Sequence, residues 1–186
     1  MIAITLHDYL NEQKTNLNSN FKKWFGKSKI VDSNGKPLVV YHGTNSEFNS
    51  FDDRKKGSTT DSGMRGRGFY FSNSMASSQA YGKIVQSVYL KVENPFDLLS
   101  YKSLDEIAEA LDIDSGILNQ RGAGLSYPQR SISVNSQYSG VFSGQVRDKG
   151  FDGILHGQEI VVFKSEQIKS IDNDGSWDNN DSNIFS

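Results

Sequence analysis

Glu159-Ile160-Val161-Val162-Phe163 sets a carboxylate at the head of four consecutive apolar residues. A run this short and this continuous reads as a strand buried in a sheet. A charge at its first position is costly unless it faces a cleft, and the strand holds the backbone beneath it rigid. Other segments supply neighbours for that strand. Leu38-Val39-Val40-Tyr41-His42 is a second buried strand, entered from a turn at Asn34-Gly35, and Phe69-Tyr70-Phe71 is a third. Residues 85–92 alternate as a strand should, with Pro95 as its stop, and Lys29-Ile30-Val31 reads as a short strand. Gly150-Phe151-Asp152-Gly153-Ile154-Leu155 is a turn into a strand, and residues 168–171 form a further one.

Helical periodicity appears in three places. Leu6, Leu10, Leu17, Phe21, Trp24 and Phe25 recur at mostly helical spacing among polar residues, which predicts an amphipathic N-terminal segment within residues 1–28, stopped by Gly26. Residues 74–81 fit a short helix with Ser74 as N-cap. Residues 104–111 fit another, with Ser103 and Glu106 spaced as a capping box. Between 112 and 150 the pattern is broken by Gly122, Gly124 and Pro128, and residues 129–149 read as helix or irregular structure. Residues 172–186 are polar and acidic, with only Trp177 and Ile184-Phe185 as anchors, so a flexible C-terminal tail is expected after one domain spanning 1–171. A chain of 186 residues with 35% hydrophobics suits one such domain.

Several function classes are excluded or disfavoured. Without cysteine there is no disulfide, thiolate metal site or cysteine nucleophile, and three scattered histidines give no ligand cluster, so no metal is expected. No apolar run is long enough to cross a bilayer and the first residues lack the form of a signal peptide, which predicts a cytoplasmic protein without membrane contact. The net charge of −2 gives no global attraction for nucleic acid. Arg54, Lys55, Lys56, Arg65 and Arg67 concentrate positive charge in one segment, so any polyanion contact is local. Arg65 and Arg67 read as a solvated loop rather than a phosphate clamp, although Gly63, Gly66 and Gly68 beside them would let backbone approach a pyrophosphate. His7 and His156 suggest no role, and Asp152 reads as turn chemistry.

The remaining polar residues have a shared logic. A neutral imidazole at His42, on a strand end beside Gly43, can donate to and accept from sugar hydroxyls at close range. Tyr70 on a strand and Tyr81 one helical segment later can face each other across a planar ring. Glu159 supplies a carboxylate able to stabilise positive charge developing on a sugar.

His42-Gly43-Thr44, then Gly66-Arg67-Gly68-Phe69-Tyr70-Phe71, then Ser77-Ser78-Gln79-Ala80-Tyr81, with Glu159 late in the chain, resembles the His-Tyr-Glu branch of the ADP-ribosyltransferase superfamily, which includes diphtheria toxin and the poly(ADP-ribose) polymerases. The likeness covers residues 38–92 and 150–171, and residues 31–42 are similar to small bacterial and phage-borne members. The resemblance implies an α+β domain in which two mostly antiparallel sheets form a split β-sandwich around NAD, the co-substrate. It implies Glu159, His42 and Tyr70 as catalytic residues, with His42 on the adenosine-side ribose and Glu159 on the nicotinamide-ribose 2′-hydroxyl. The Gly43 backbone and the Ser78 hydroxyl would bind the carboxamide, Tyr70 and Tyr81 would flank the nicotinamide ring, and Thr44 and Arg67 complete the cofactor-binding set. Two departures stand out. Gly157 lies two before Glu159, where arginine-modifying relatives carry Glu, and residues 112–150 have no counterpart. The implied activity is mono-ADP-ribosyl transfer to a macromolecule, a protein side chain or an RNA or DNA base, by a toxin or phage-conflict effector with a neutralising partner. NAD hydrolysis and a non-catalytic nucleotide-binding module are the alternatives.

Overall fold

Strand β8 (Glu159–Val162) is as deeply embedded as its sequence demands. Ile160 and Val162 enter one apolar cluster and Val161 enters another on the opposite face, all at most 5% exposed. The computed structural model describes residues 19–56, 63–121 and 131–186. Around β8 run β1 (Val40–Thr44), β2 (Phe69–Ser72), β3 (Ile84–Leu90), β4 (Pro95–Asp97), β7 (Gly153–His156) and β9 (Ile168–Ser170), in the order β4-β7-β8-β2-β1-β3-β9. Every pairing is antiparallel except β4 with β7. Strands β5 (Leu118–Arg121) and β6 (Ser131–Val134) form a separate two-stranded ribbon.

The architecture is therefore mixed α+β, with a seven-stranded sheet and a ribbon. The sheet has a weak seam. Five registered pairs join β1 to β3 and four join β2 to β8, but only Tyr41 and Ser72 pair between β1 and β2. One face of the sheet buries Val40, Phe51, Phe69, Phe71, Val88 and Ile168, and the other buries Phe96, Ile107, Ile132, Phe142 and Ile154 with Val161.

Four α-helices are described. Helix α1 (Ser19–Phe25) buries Phe21, Trp24 and Phe25 against Tyr89 and Trp177, as its spacing predicts, and Gly26 ends it at φ 57°. The expected helical positions before residue 19 lie outside the described residues. Ser74 caps α2 (Met75–Gln79) by accepting from the Ser77 N–H. Ser103 caps α3 (Leu104–Leu111) by accepting from Glu106 N–H at 3.1 Å, but Glu106 reaches back to the Lys102 N–H, so the expected box is displaced by one residue. Ser103→Ala is expected to lower global stability by about 1 kcal/mol, read from urea unfolding midpoints at unchanged slope. Helix α4 (Ser139–Asp148) follows β6, so from residue 131 onward the segment that read as helix or irregular structure is a strand, a 3₁₀ turn and then a helix.

Three expectations are corrected. Lys29-Ile30-Val31 forms one isolated bridge, Val31 to Pro37, because the turn between them closes on Asp32, whose carboxylate accepts from Asn34 and Lys36. Pro95 stops nothing: it opens β4, an edge strand, where a missing N–H is tolerated. Residues 172–186, expected as a flexible tail, pack onto the sheet. Ile184 is 1% exposed and Trp177 is 5% exposed, and the Lys169 ammonium donates to the carbonyls of Asp181 at 3.0 Å and Asn183 at 2.7 Å.

Candidate active site

Glu159 stands opposite His156 across a two-residue turn, Gly157-Gln158, that joins β7 to β8. Gly157 has φ 63° and Gln158 is not in the left-handed region, the pattern of a type II′ hairpin, which Gly at the first central position permits. Facing residues share one side of the sheet, so both side chains meet. The Glu159 side chain is 33% exposed and its contacts converge on one oxygen. Arg65 donates to Oε2 from Nε at 2.9 Å and forms an ion-pair contact with it from a terminal nitrogen at 2.8 Å, and His156 Nδ1 lies 3.7 Å from the same atom. Oε1 has no hydrogen bond among the described residues. Burial opposes the carboxylate charge, but the His156 imidazole and the Arg65 guanidinium outweigh it and hold the group below the usual carboxylate range.

His42 lies across the seam. Its Nδ1 is 2.8 Å from the Tyr70 carbonyl oxygen, which can only accept, so Nδ1 carries the proton and Nε2 keeps a lone pair. The ring packs edge-on against Phe51, at 5.0 Å between centroids, and near Phe48 and Phe71. Burial pushes its pKa down, partly offset by the bond to Tyr70, so the imidazole is neutral at neutral pH. Tyr70 turns its hydroxyl to the Gly-rich turn before β2, accepting from Arg65 N–H at 2.9 Å and donating to the Gly66 carbonyl at 2.6 Å. Its ring packs on the Phe142 and Val161 side of the sheet.

Gly43 is dictated by helix α2. A β-carbon there would lie 1.9 Å from the Ser78 carbonyl oxygen and 3.1 Å from Tyr81 Cβ. Ser78 is 3% exposed and donates to the Tyr41 carbonyl at 3.0 Å, while Tyr81, beside Gly43, is 50% exposed. Thr44 spends its hydroxyl locally on Ser46. Gly43→Ala is expected to push α2 off β1 and cost about 1–3 kcal/mol or more, checked by thermal unfolding.

Arg67 is drawn elsewhere. It is exposed and lines a groove of about 290 Å³ with Asp53, Lys56, Gly140, Ser143, Arg147 and Phe163, sharing no lining residue with the Glu159 group. Thus the structure brings Tyr70 and Glu159 together through Arg65, ties His42 to the Tyr70 backbone, seats Ser78 and Tyr81 beside Gly43, and leaves Arg67 apart. Sequence reasoning missed Arg65, expected in a solvated loop but 6% exposed, and His156, expected to have no role. The Gly157-Gln158 turn was the available signal for His156, since a two-residue hairpin places its flanking residues face to face. Arg65 had no such local signal.

The family described as ADP-ribosyltransferase in polyvalent proteins matches residues 32–178. This chain belongs to that family. No curated protein matches the chain at a significant level. A solved structure described as the crystal structure of an anti-CRISPR protein is similar over 70% of this chain and 91% of that one, with 10% identity and a TM-score of 0.39. A likeness so slight carries no argument.

ADP-ribosyltransferase domains use NAD as co-substrate, and the donor set here can be tested against it. Sugar hydroxyls need acceptors. Glu159 Oε1 and His42 Nε2 are both lone-pair acceptors without a hydrogen bond among the described residues, and they fit. Among the described residues no group of three His, Asp or Glu is placed to hold a metal, and no helix is long and apolar enough to cross a membrane.

Proposed function

We propose that this ADP-ribosyltransferase is a member of the His-Tyr-Glu branch that transfers a single ADP-ribose from NAD to a macromolecule. NAD supplies a ribosyl group whose bond to nicotinamide breaks, with nicotinamide leaving, as a bond to the acceptor forms and the acceptor loses its proton. The observation that carries this reading is the Glu159 carboxylate at a strand head, one oxygen held and the other uncommitted, in a chain of this family. Oε1 accepts from a hydroxyl of the nicotinamide-side ribose and opposes positive charge developing on that sugar. His42 accepts through Nε2 from the adenosine-side ribose. We assign the NAD cleft to the β1–β2 seam, where the ladder stops after one pair. Tyr81 and Tyr70 border the nicotinamide end, with the Gly43 backbone and Ser78 beside them.

The acceptor is a protein side chain or a nucleic-acid base. The groove lined by Lys56, Arg67 and Arg147 supports a phosphate-bearing acceptor such as RNA. We further place the activity in the cytoplasm, as a toxin or phage-conflict effector held in check by a neutralising partner. Purified protein incubated with adenylate-labelled NAD and cell lysate tests the reading after protease or nuclease digestion. Label lost to nuclease alone identifies a nucleic-acid acceptor, label lost to protease alone a protein one, and free ADP-ribose alone would replace transfer by hydrolysis. Equal growth of cells expressing wild type and Glu159→Ala would remove the toxin role.

A further inference from the structure

Two side chains that flank Glu159 also seize the backbone of one residue in the β5–β6 ribbon. Arg65 donates from its remaining terminal nitrogen to the Ile132 carbonyl at 2.7 Å, and His156 Nε2 accepts the Ile132 N–H at 3.2 Å. That second bond fixes the tautomer: with Nε2 accepting, the proton of the neutral ring sits on Nδ1, the atom facing Glu159 Oε2. Arg65 is fixed at its other end as well, since Tyr70 holds its backbone N–H. Ile132 is fully buried, with Arg65 at 6% and His156 at 9% exposure, so this network has little room to shift.

The geometry of the ion pair differs from what stability alone would select. A guanidinium and a carboxylate meet most strongly fork to fork, each nitrogen on its own oxygen. Here the Nε hydrogen bond and the terminal-nitrogen ion-pair contact both fall on Oε2, which fixes the carboxylate while sparing Oε1. From the reading of Glu159 as the catalytic carboxylate, we infer that Arg65 is a positioning residue: together with His156 it clamps Oε2, so that Oε1 is presented to the ribose and the β5–β6 ribbon is locked to the catalytic carboxylate through Ile132. The ribbon belongs to residues 112–150, and the inference gives that segment a task in aligning the site.

The test uses the full chain carrying Arg65→Met or Arg65→Lys. Among the described residues, the titratable groups facing Glu159 are Arg65 from the Gly-rich turn and His156 from β7. Without the Arg65 charge, burial of Glu159 is opposed by His156 alone, so its carboxyl titrates higher. Arg65→Met is expected to lower kcat about 10- to 100-fold, with KM for NAD within about threefold, and to move the acid limb of the kcat profile to higher pH. Arg65→Lys keeps the charge and loses the fork, so it restores the acid limb and only part of kcat. If Arg65→Met does not fold, Arg65→Lys decides alone: a fall in kcat of about fivefold or more supports the inference and wild-type kcat overturns it. A folded Arg65→Met with wild-type kcat and acid limb also overturns it. Glu159 carboxyl titration by carbon NMR separates this inference from the functional reading. An upward shift in Arg65→Met in a chain that never consumes NAD would leave the clamp standing and sink the enzyme. No shift in an active chain would do the reverse.

Discussion

Glu159→Gln is expected to lower the rate of nicotinamide release by about 10²- to 10⁴-fold. The amide matches the carboxylate in shape and still offers Arg65 an oxygen, so the fold survives at a cost of no more than about 1–3 kcal/mol. What disappears is the negative charge beside the ribose. The same substitution removes a pH dependence of stability. Burial works against the Glu159 charge, yet His156 and Arg65 hold its folded pKa below the ordinary value. A carboxyl depressed on folding stabilises the native state above its unfolded pKa, and that contribution fades as pH falls through the folded one. The stability gap between wild type and Glu159→Gln should therefore be widest near neutrality and close in acid, as urea titrations at several pH values would read. A gap that does not change with pH would show that the Arg65 contact contributes no net stabilisation.

Removal of residues 172–186 is expected to abolish cooperative folding. The ring of Trp177 sits 4.7 Å from Phe21 and 5.6 Å from Trp24, so its loss exposes the face of α1 that those residues bury. Ile184 leaves a hole beside Ile168, and its backbone bridges Ser170 and Asn49. Lys169, fully buried, loses the Asp181 and Asn183 carbonyls that solvate its ammonium. An aromatic truncation in a core costs about 3–5 kcal/mol and an aliphatic one about 2–5 kcal/mol. Together with the lost hydrogen bonds of the Lys169 ammonium these losses reach the total stability of an ordinary domain, about 5–15 kcal/mol. Near-ultraviolet circular dichroism and a thermal melt check this. A sharp melt within a few degrees of the full chain would contradict it.

That tail illustrates why part of the fold was hidden in the sequence. Its composition is polar, but its polarity is spent inward: Asn173 accepts from Gly175 and Trp177 N–H groups, and Asp181 accepts from Asn183 N–H and the Ser186 hydroxyl. Asx turns of this kind fold a polar segment tightly enough to seat two apolar anchors, and average hydrophobicity does not register them. By contrast β8 and α3 were legible, because a continuous apolar run and a capped amphipathic turn are local signals. The site divides the same way. Glu159, His42 and Tyr70 stood out through strand position and motif, whereas Arg65 acquires its meaning from a partner 94 positions away. No periodicity predicts that an arginine in a Gly-rich turn will point inward. The β5–β6 ribbon was equally opaque, its strands short and separated by residues that break any pattern.

The most direct test of the central claim is a balance between two products from adenylate-labelled NAD and cell lysate: nicotinamide released and label bound to macromolecules. Wild type is expected to form both in equal amounts, and Glu159→Gln neither above background. Folded wild-type protein that releases no nicotinamide would contradict the assignment of this site to ADP-ribosyl transfer.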